Sequence, residues 1–261
     1  MSVEVGAAAY WTGYKTIVIK EMTRILRIWG QTLVPPAITM SLYFVIFGNL
    51  IGRRVGEMDG VAFMDFIVPG LIMMQVITQS YGNVVSSFFG AKFGKHIEEL
   101  LISPLPNWVI LAGYVTGAVT RGLLTGLVVA LVSMFFTTPQ VSNWAVLISI
   151  AVLTAVVFAL AGLVNAIYAR SFDDISIVPT FVLTPLTYLG GVFYTVTLLP
   201  GFWQNVSMAN PILYMVNAFR YGMLGVTDVS LWTAYAIIVG AGAALTVFCL
   251  WLLGRGTGLR T

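Results

Sequence analysis

No charged side chain occurs between Arg121 and Arg170, between Asp174 and Arg220, or between Asp228 and Arg255. Stretches of this length have nothing with which to hold water against a soluble surface. A lipid hydrocarbon layer, by contrast, is crossed by a helix of about 20 apolar residues, which satisfies every backbone polar group internally. Composition agrees: 59% of residues are hydrophobic and 9% charged, with a mean hydropathy of +0.94, where a soluble domain carries roughly a quarter charged residues. Thirteen Lys and Arg with ten Asp and Glu are too few to coat a soluble core. The expectation is an all-α integral membrane protein, one domain over residues 1–261, with membrane lipid as its covering partner.

The apolar intervals place six transmembrane helices, at Gln31 to Ile51, Met64 to Phe89, Trp108 to Phe135, Trp144 to Ala169, Ile175 to Leu198 and Leu231 to Gly254. Pro35, Pro36, Pro69, Pro179 and Pro185 fall inside them and should kink them. With both termini cytoplasmic, the inside carries Lys15, Lys20, Arg24, Arg27, Lys92, Lys95, Arg170, Arg255 and Arg260, and the outside Arg53, Arg54 and Arg220. That asymmetry selects the orientation. The first residues are basic with no apolar run ahead of a small-residue cleavage site, so no removable signal peptide is expected.

Ahead of the first span, Val18, Met22, Ile25 and Trp29 share one side of a helix and Thr16, Lys20, Arg24 and Arg27 the other. This reads as a cytoplasmic amphipathic interfacial helix, its cations among anionic headgroups. Between the second and third spans, the stretch AKFGKHIEELLISPLP concentrates Lys92, Lys95, Glu98, Glu99 and the one histidine, His96. A short helix here would show those groups to the cytosol and Phe93, Ile97, Leu100 and Leu101 to something apolar. The proline-rich SPLPN that follows should stop it, with Asn107 capping the next helix.

Several chemistries find no residues to carry them. Cys249 lies alone in an apolar run and has no disulfide or metal partner. His96 has no second His or Cys beside it and suits an interface hydrogen bond better than catalysis or metal binding. Neither a catalytic, a cofactor-binding nor a metal site is expected. The one Gly-Lys pair, Gly94 and Lys95, is followed by His96 and preceded by Phe89 where a phosphate loop needs its first glycine. ATP hydrolysis by this chain is therefore not expected. Nor is nucleic acid a partner, since the net charge of +3 is spread over loops flanking lipid. An ion-coupled secondary transporter or channel is the alternative class, but it calls for carboxylates or histidines within the spans. Asp65, Asp173 and Asp174 lie at span edges, the last two as caps of the fifth span.

The stretch LTPLTYLGGVFYTVTLLPGFWQNVSMANPILYMVNAFR, Leu183 to Arg220, carries apolar Leu183, Leu186 and Leu189, then Gly190 and Val192, Leu199 with Pro200, Pro211 with Ile212 and Tyr214, and Arg220. At these spacings it resembles the signature of the type-2 permeases of ATP-binding-cassette exporters, the family that includes polysaccharide, nodulation-factor and antibiotic-resistance export permeases. The order of elements along the rest of the chain is similar too.

The resemblance implies a permease of the bacterial cytoplasmic (inner) membrane that forms a homodimer and binds two ATPase subunits, with ATP and Mg on the partner. It implies a coupling helix formed by Lys92, Phe93, Lys95, His96, Ile97, Glu98, Glu99 and Leu100, and short external re-entrant helices between the fifth and sixth spans. The function implied is outward movement of an amphiphilic substrate (drug, lipid or lipid-linked glycan) by alternating access. In the external segment Phe193, Tyr194, Phe202, Trp203 and Tyr214 read either as an interfacial aromatic belt or as an outer gate. Arg121 is the one charge deep within a span. It is costly there by at least about 2.5 kcal/mol, and the candidates for its partner are Asp173, Asp174, carbonyls freed at Pro179 or Pro185, or a substrate headgroup.

Overall fold

A 31-residue helix, Phe63 to Phe93, runs through the middle of the molecule, and 72% of its apolar window is buried. The helices at either end of the chain have only 22% of theirs buried, so they form the periphery. The structure, a computed structural model, describes residues 7–256 and Gly258. Arg260 and the side chains of Arg53 and Leu101 lie outside the described residues.

In chain order the elements are α1 (Ala7–Arg27), α2 (Trp29–Tyr43) continued by a π-helical stretch (Phe44–Ile51), α3 (Gly52–Val55), and a two-stranded hairpin of β1 (Glu57–Met58) and β2 (Val61–Ala62). Then come the central α4 (Phe63–Phe93), α5 (His96–Ile102), α6 (Asn107–Ser133), α7 (Trp144–Tyr168), α8 (Asp174–Val178), a π-helical turn (Pro179–Leu183) and α9 (Thr184–Tyr188). A 3-10 turn (Val196–Leu198), α10 (Gly201–Met208), α11 (Pro211–Leu224) and α12 (Leu231–Arg255) complete it. The expected all-α class holds apart from the hairpin.

Among the described residues, five helices are long and apolar enough to cross a membrane: Trp29–Gly48, Phe63–Phe93, Asn107–Ser133, Trp144–Tyr168 and Leu231–Arg255. The stretch expected as the fifth span, Ile175 to Leu198, does not form one long helix. Its helical run stops at Tyr188, with Pro179 opening the π-helical turn and Pro185 in the first turn of α9, because proline removes a backbone donor and crowds the preceding turn. At about 1.5 Å per residue, Asp174 to Tyr188 covers roughly 22 Å, short of a hydrocarbon layer of about 30 Å.

Contacts fix the directions of the helices. Ser80 and Val76 of α4 face Gly122 and Gly126 of α6, and Phe88 meets Tyr114 edge to face, so α4 and α6 are antiparallel. Tyr81 abuts Gly162 of α7 and Lys92 reaches Ile167, so α4 and α7 run the same way. Ser149 pairs with Tyr235 and Leu160 with Cys249, so α12 also runs with α7. Two parallel helices in succession require the chain between them, 170–230, to return across the full thickness of the bundle.

Lipid tails are as apolar as leucine, so the bundle is held by close packing rather than by expulsion of apolar surface from water. A methyl at Gly162 would fall 2.6 Å from the Tyr81 carbonyl oxygen, which is why this position tolerates no side chain. Two apolar clusters result, stacked along α4. One gathers around Phe66, Ile67, Leu71 and Met73 with Met215 and Val216 of α11. The other gathers around Phe88, Phe89, Tyr114, Leu163 and Leu252 and includes Ile17 and Ile97.

Candidate functional site

The loop between α4 and α6 folds as expected into a short helix, but it is divided differently. Lys95 adopts left-handed backbone geometry at φ 59°, which breaks the chain between α4 and α5. Lys92, expected on the partner-facing surface, is instead buried as the last basic residue of α4. Its ammonium donates to the carbonyls of Ile167 and Ala169 at 2.6 and 2.7 Å. These are acceptors left over at the end of α7, where a cation is favoured.

Ile97 turns into the inner apolar cluster at 1% exposure, and Leu100 packs partly against it. Phe93 does not share that face. It is 63% exposed and meets the ring of Phe172, from the loop after α7, edge-on at 4.9 Å. Lys95, His96, Glu98 and Glu99 are exposed. The resulting surface is an apolar Phe93–Phe172 pair beside mixed charges, and it has the composition of a protein-docking patch with a polar rim. Phe172 escaped the sequence reading because it lies some eighty residues away; only the parallel packing of α4 and α7 brings it here. Asn107 is the first residue of α6, Pro106 occupies the cap position, and no side-chain cap bond forms. Asp174 accepts from the backbone N–H of Arg170 and Ser171 at 2.8 and 3.1 Å, whereas Asp173 makes no side-chain cap bond.

At the opposite end, the five aromatics expected as a gate do not form one cluster. Phe193 stacks on Phe47 at 4.7 Å and on Tyr43 at 5.8 Å, and the hydroxyls of Tyr43 and Tyr188 pair at 3.0 Å. Phe193, which also stacks on Tyr188, therefore ties α2 and its π-helical continuation to α9. Phe202 and Trp203 form an exposed edge-to-face pair on α10. Tyr214 donates to the Met208 carbonyl at 2.9 Å, and Tyr194 pairs with Ser207 at 3.5 Å.

The signature residues do turn and packing work in this structure. Pro200 precedes α10 and Pro211 opens α11. A methyl on Gly190 would come within 2.6 Å of Ile212. Arg220, counted above as an outside loop charge, is 1% exposed. Its guanidinium donates to the carbonyls of Gly191 (2.6 Å) and Phe66 (3.4 Å) and to Asn217 Oδ1 (3.2 Å), and it lies 3.8 Å above the Phe66 ring. One side chain thus joins α4, the turn after α9, and α11.

A third group of charges was not visible in the sequence. On α1 the inward face is Ile17, Glu21 and Ile25; Val18 and Met22 are only half-buried and Trp29 is exposed. Ile17 lies over Gly113 and Glu21 over Gly117, so α1 runs parallel to α6 and packs along its N-terminal half. Small residues four apart permit that approach, and the Gly113/Gly117 spacing is the sequence signal that could have predicted it.

Glu21 is fully buried. Ser87 and Asn83 of α4 donate to it, Arg24 pairs with it at 3.1 Å, and Lys20 lies at 3.5 Å. Arg24 also donates to Asn83 Oδ1 at 2.6 Å. Arg121 belongs to this group by its place on α6, one turn beyond Gly117, which Glu21 covers, and next to Gly122, which meets Ser80 of α4; Asp173 and Asp174 form no ion pair with it. It has no carboxylate within ion-pair distance among the described residues, and its Nε is buried without a hydrogen-bond partner.

Comparison with known proteins follows the same lines. Residues 12–224 match the family described as ABC-2 type transporter. Over 252 residues, 97% of this chain and 98% of the relative, the sequence is 59% identical to the inner membrane transport permease YadH of Escherichia coli (strain K12). It is equally similar to the protein of that name from Shigella flexneri. Nodulation protein J of Rhizobium leguminosarum bv. viciae is 27% identical over 188 residues, 70% of this chain and 71% of that one.

Proposed function

The chain belongs to the ABC-2 type transporter family and is a membrane permease of an ABC transporter; from that premise we propose that it exports an amphiphilic substrate, powered by ATP hydrolysed on separate ATPase subunits. The substrate is a drug, a lipid or a lipid-linked glycan, moved by alternating access between inward- and outward-open states. The permease works as a homodimer with two ATPase subunits, which hold ATP and Mg, in the bacterial inner membrane, where relatives carrying the permease name are placed by that name. The permease crosses six times with both termini cytoplasmic; the parallel run of α7 and α12 supports a return crossing between them, made by the proline-broken stretch from Asp174 to Leu198. Helices α10 and α11 then lie on the outer side, where Phe202 and Trp203 serve as gate residues.

One observation carries the coupling assignment. A seven-residue helix with exposed Lys95, His96, Glu98 and Glu99 hangs between two long apolar helices and is anchored at its root by buried Ile97. Charges held on a rigid projection fix partner identity and register. The revised docking surface is Phe93, Lys95, His96, Glu98 and Glu99 together with Phe172, and Lys92 acts as its internal anchor.

The test is a charge reversal, Glu98→Lys with Glu99→Lys, co-expressed with the ATPase. The expected result is normal membrane insertion, loss of ATPase co-purification and loss of transport. Intact co-purification with full transport would show that this helix does not couple the two subunits.

A further inference from the structure

The group around Glu21 has a charge imbalance that the protein does not resolve. Lys20, Arg24 and, one turn further along α6, Arg121 share one carboxylate, and that carboxylate is already engaged by Ser87, Asn83, Arg24 and Lys20. The local sum is two positive charges. Both guanidinium groups that face this region, those of Arg24 and Arg121, keep a buried Nε without an acceptor. Buried charges are ordinarily paired, so an anion from outside the chain completes the group.

Its depth and access select the kind of anion. Helix α4 is about 46 Å long at about 1.5 Å per residue, against about 30 Å of hydrocarbon, so several turns extend beyond the lipid core. Asn83, Ser86 and Ser87 lie in the last third of α4, toward the end that carries Lys92 and α5. Lys20 is 51% exposed in its side chain, Arg24 26%, and Ser86, which accepts from Arg24 at 3.2 Å, is exposed. The group therefore opens sideways beside α1 on the α5 side of the bundle, with Lys20, Arg24 and Ser86 toward the headgroups and Arg121 deeper along α6. Guanidinium groups suit phosphate oxygens in particular, because their planar fork meets them in pairs.

We propose that Arg121, Arg24 and Lys20, between α1, α4 and α6, form a binding site for the phosphate of an amphiphile in the inner leaflet. The phosphate comes either from a resident anionic phospholipid or from a phosphate-bearing substrate. Arg121 supplies the free donors, Lys20 reaches from the rim, and Glu21 with Asn83 holds Arg24 in place. The site's place in the inner leaflet rests on the orientation proposed above, while the site itself does not depend on the coupling role given to α5.

The full-length permease is reconstituted in nanodiscs of phosphatidylcholine with and without phosphatidylglycerol. Retained lipid is read by native mass spectrometry and the unfolding midpoint by thermal scan. Phosphatidylglycerol is expected to stay bound and raise the midpoint of the parent. Its binding falls about tenfold in Arg121→Gln, the scale of one charge-assisted hydrogen bond, and falls also in Lys20→Gln. Arg121→Lys, keeping the charge, retains most of the binding.

Equal retention of phosphatidylglycerol in parent, Arg121→Gln and Lys20→Gln would overturn the site. Its source is read separately, by following labelled phosphatidylglycerol between leaflets in proteoliposomes containing the ATPase. ATP-dependent movement that Arg121→Gln abolishes identifies a transported lipid, and tight retention without movement identifies a resident one.

Discussion

Two deeply placed arginines, Arg220 near one end of the bundle and Arg121 toward the other, have opposite surroundings. Each nitrogen of the Arg220 guanidinium donates to an oxygen, and the Phe66 ring lies beneath it. Arg121 has neither a carboxylate in reach nor an acceptor for its Nε among the described residues. The contrast separates structure from availability. A charge whose every nitrogen donates inside one chain is a cross-link, while one left without such partners in a low-dielectric setting is available to an outside group.

The sharpest way to break this comparison is Arg220→Ala. It strips donors from the Gly191 and Phe66 carbonyls and from Asn217, so stability should fall by on the order of 3 kcal/mol or more. In detergent the variant should melt far below the parent or fail to stay monodisperse, and Arg220→Lys should rescue little, because a single ammonium does not reproduce the fork. A fully stable Arg220→Ala protein would refute the cross-link.

Next in size is Lys92→Met, which keeps the stem but deletes two charge-assisted bonds to the end of α7. A loss of about 1.5–3 kcal/mol is expected, with the exposed docking residues and ATPase co-purification retained. A normal melting point with lost co-purification would return Lys92 to the docking surface.

Arg121→Gln should cost less than about 1 kcal/mol in zwitterionic lipid, since no protein partner is orphaned. A destabilisation as large as that of Arg220→Ala would erase the distinction between the two arginines.

The smallest effect concerns the outer hairpin. Burial, and then the facing Asp228 carboxylate, raise the Asp59 carboxyl above its ordinary 3.8, with Arg220 opposing. An acid raised in this way holds its proton more tightly folded than unfolded, so its contribution favours the folded state at low pH and is lost as pH climbs from 3.8 through the raised value. Asn accepts the left-handed geometry of this position, φ 52°. Asp59→Asn should therefore melt slightly above the parent at neutral pH and level with it in acid. An equal gap at both pH values would exclude the titration of Asp59 as its cause.

These residues also show where the sequence was readable. The expected spans at Met64 to Phe89, Trp108 to Phe135, Trp144 to Ala169 and Leu231 to Gly254 reappear within a few residues as α4, α6, α7 and α12. The expected fifth span did not reappear whole, because Pro179 and Pro185 interrupt it. Lys92 and Glu98 look alike in the sequence, both charges in one short run. Only the register of α4 against α7 turned the first inward onto leftover carbonyls and left the second in water. Glu21 was passed over among the cations of α1, and the partner of Arg121 stayed open between acids, freed carbonyls and a substrate headgroup, because both assignments need to know which helix lies beside α6.

What the amino-acid sequence determined alone is the membrane class, the places of the long apolar helices, and the position of the charged loop. Those follow from local free energies of transfer, which each segment carries wherever it sits. What only the tertiary structure decided is which polar groups are spent and which remain available. That depends on close approach between helices far apart in the chain, as where Gly113 and Gly117 admit Ile17 and Glu21. Hydrogen bonds act over about 3 Å, so a one-residue shift in helix register would exchange a satisfied arginine for an unsatisfied one without altering the composition of either segment.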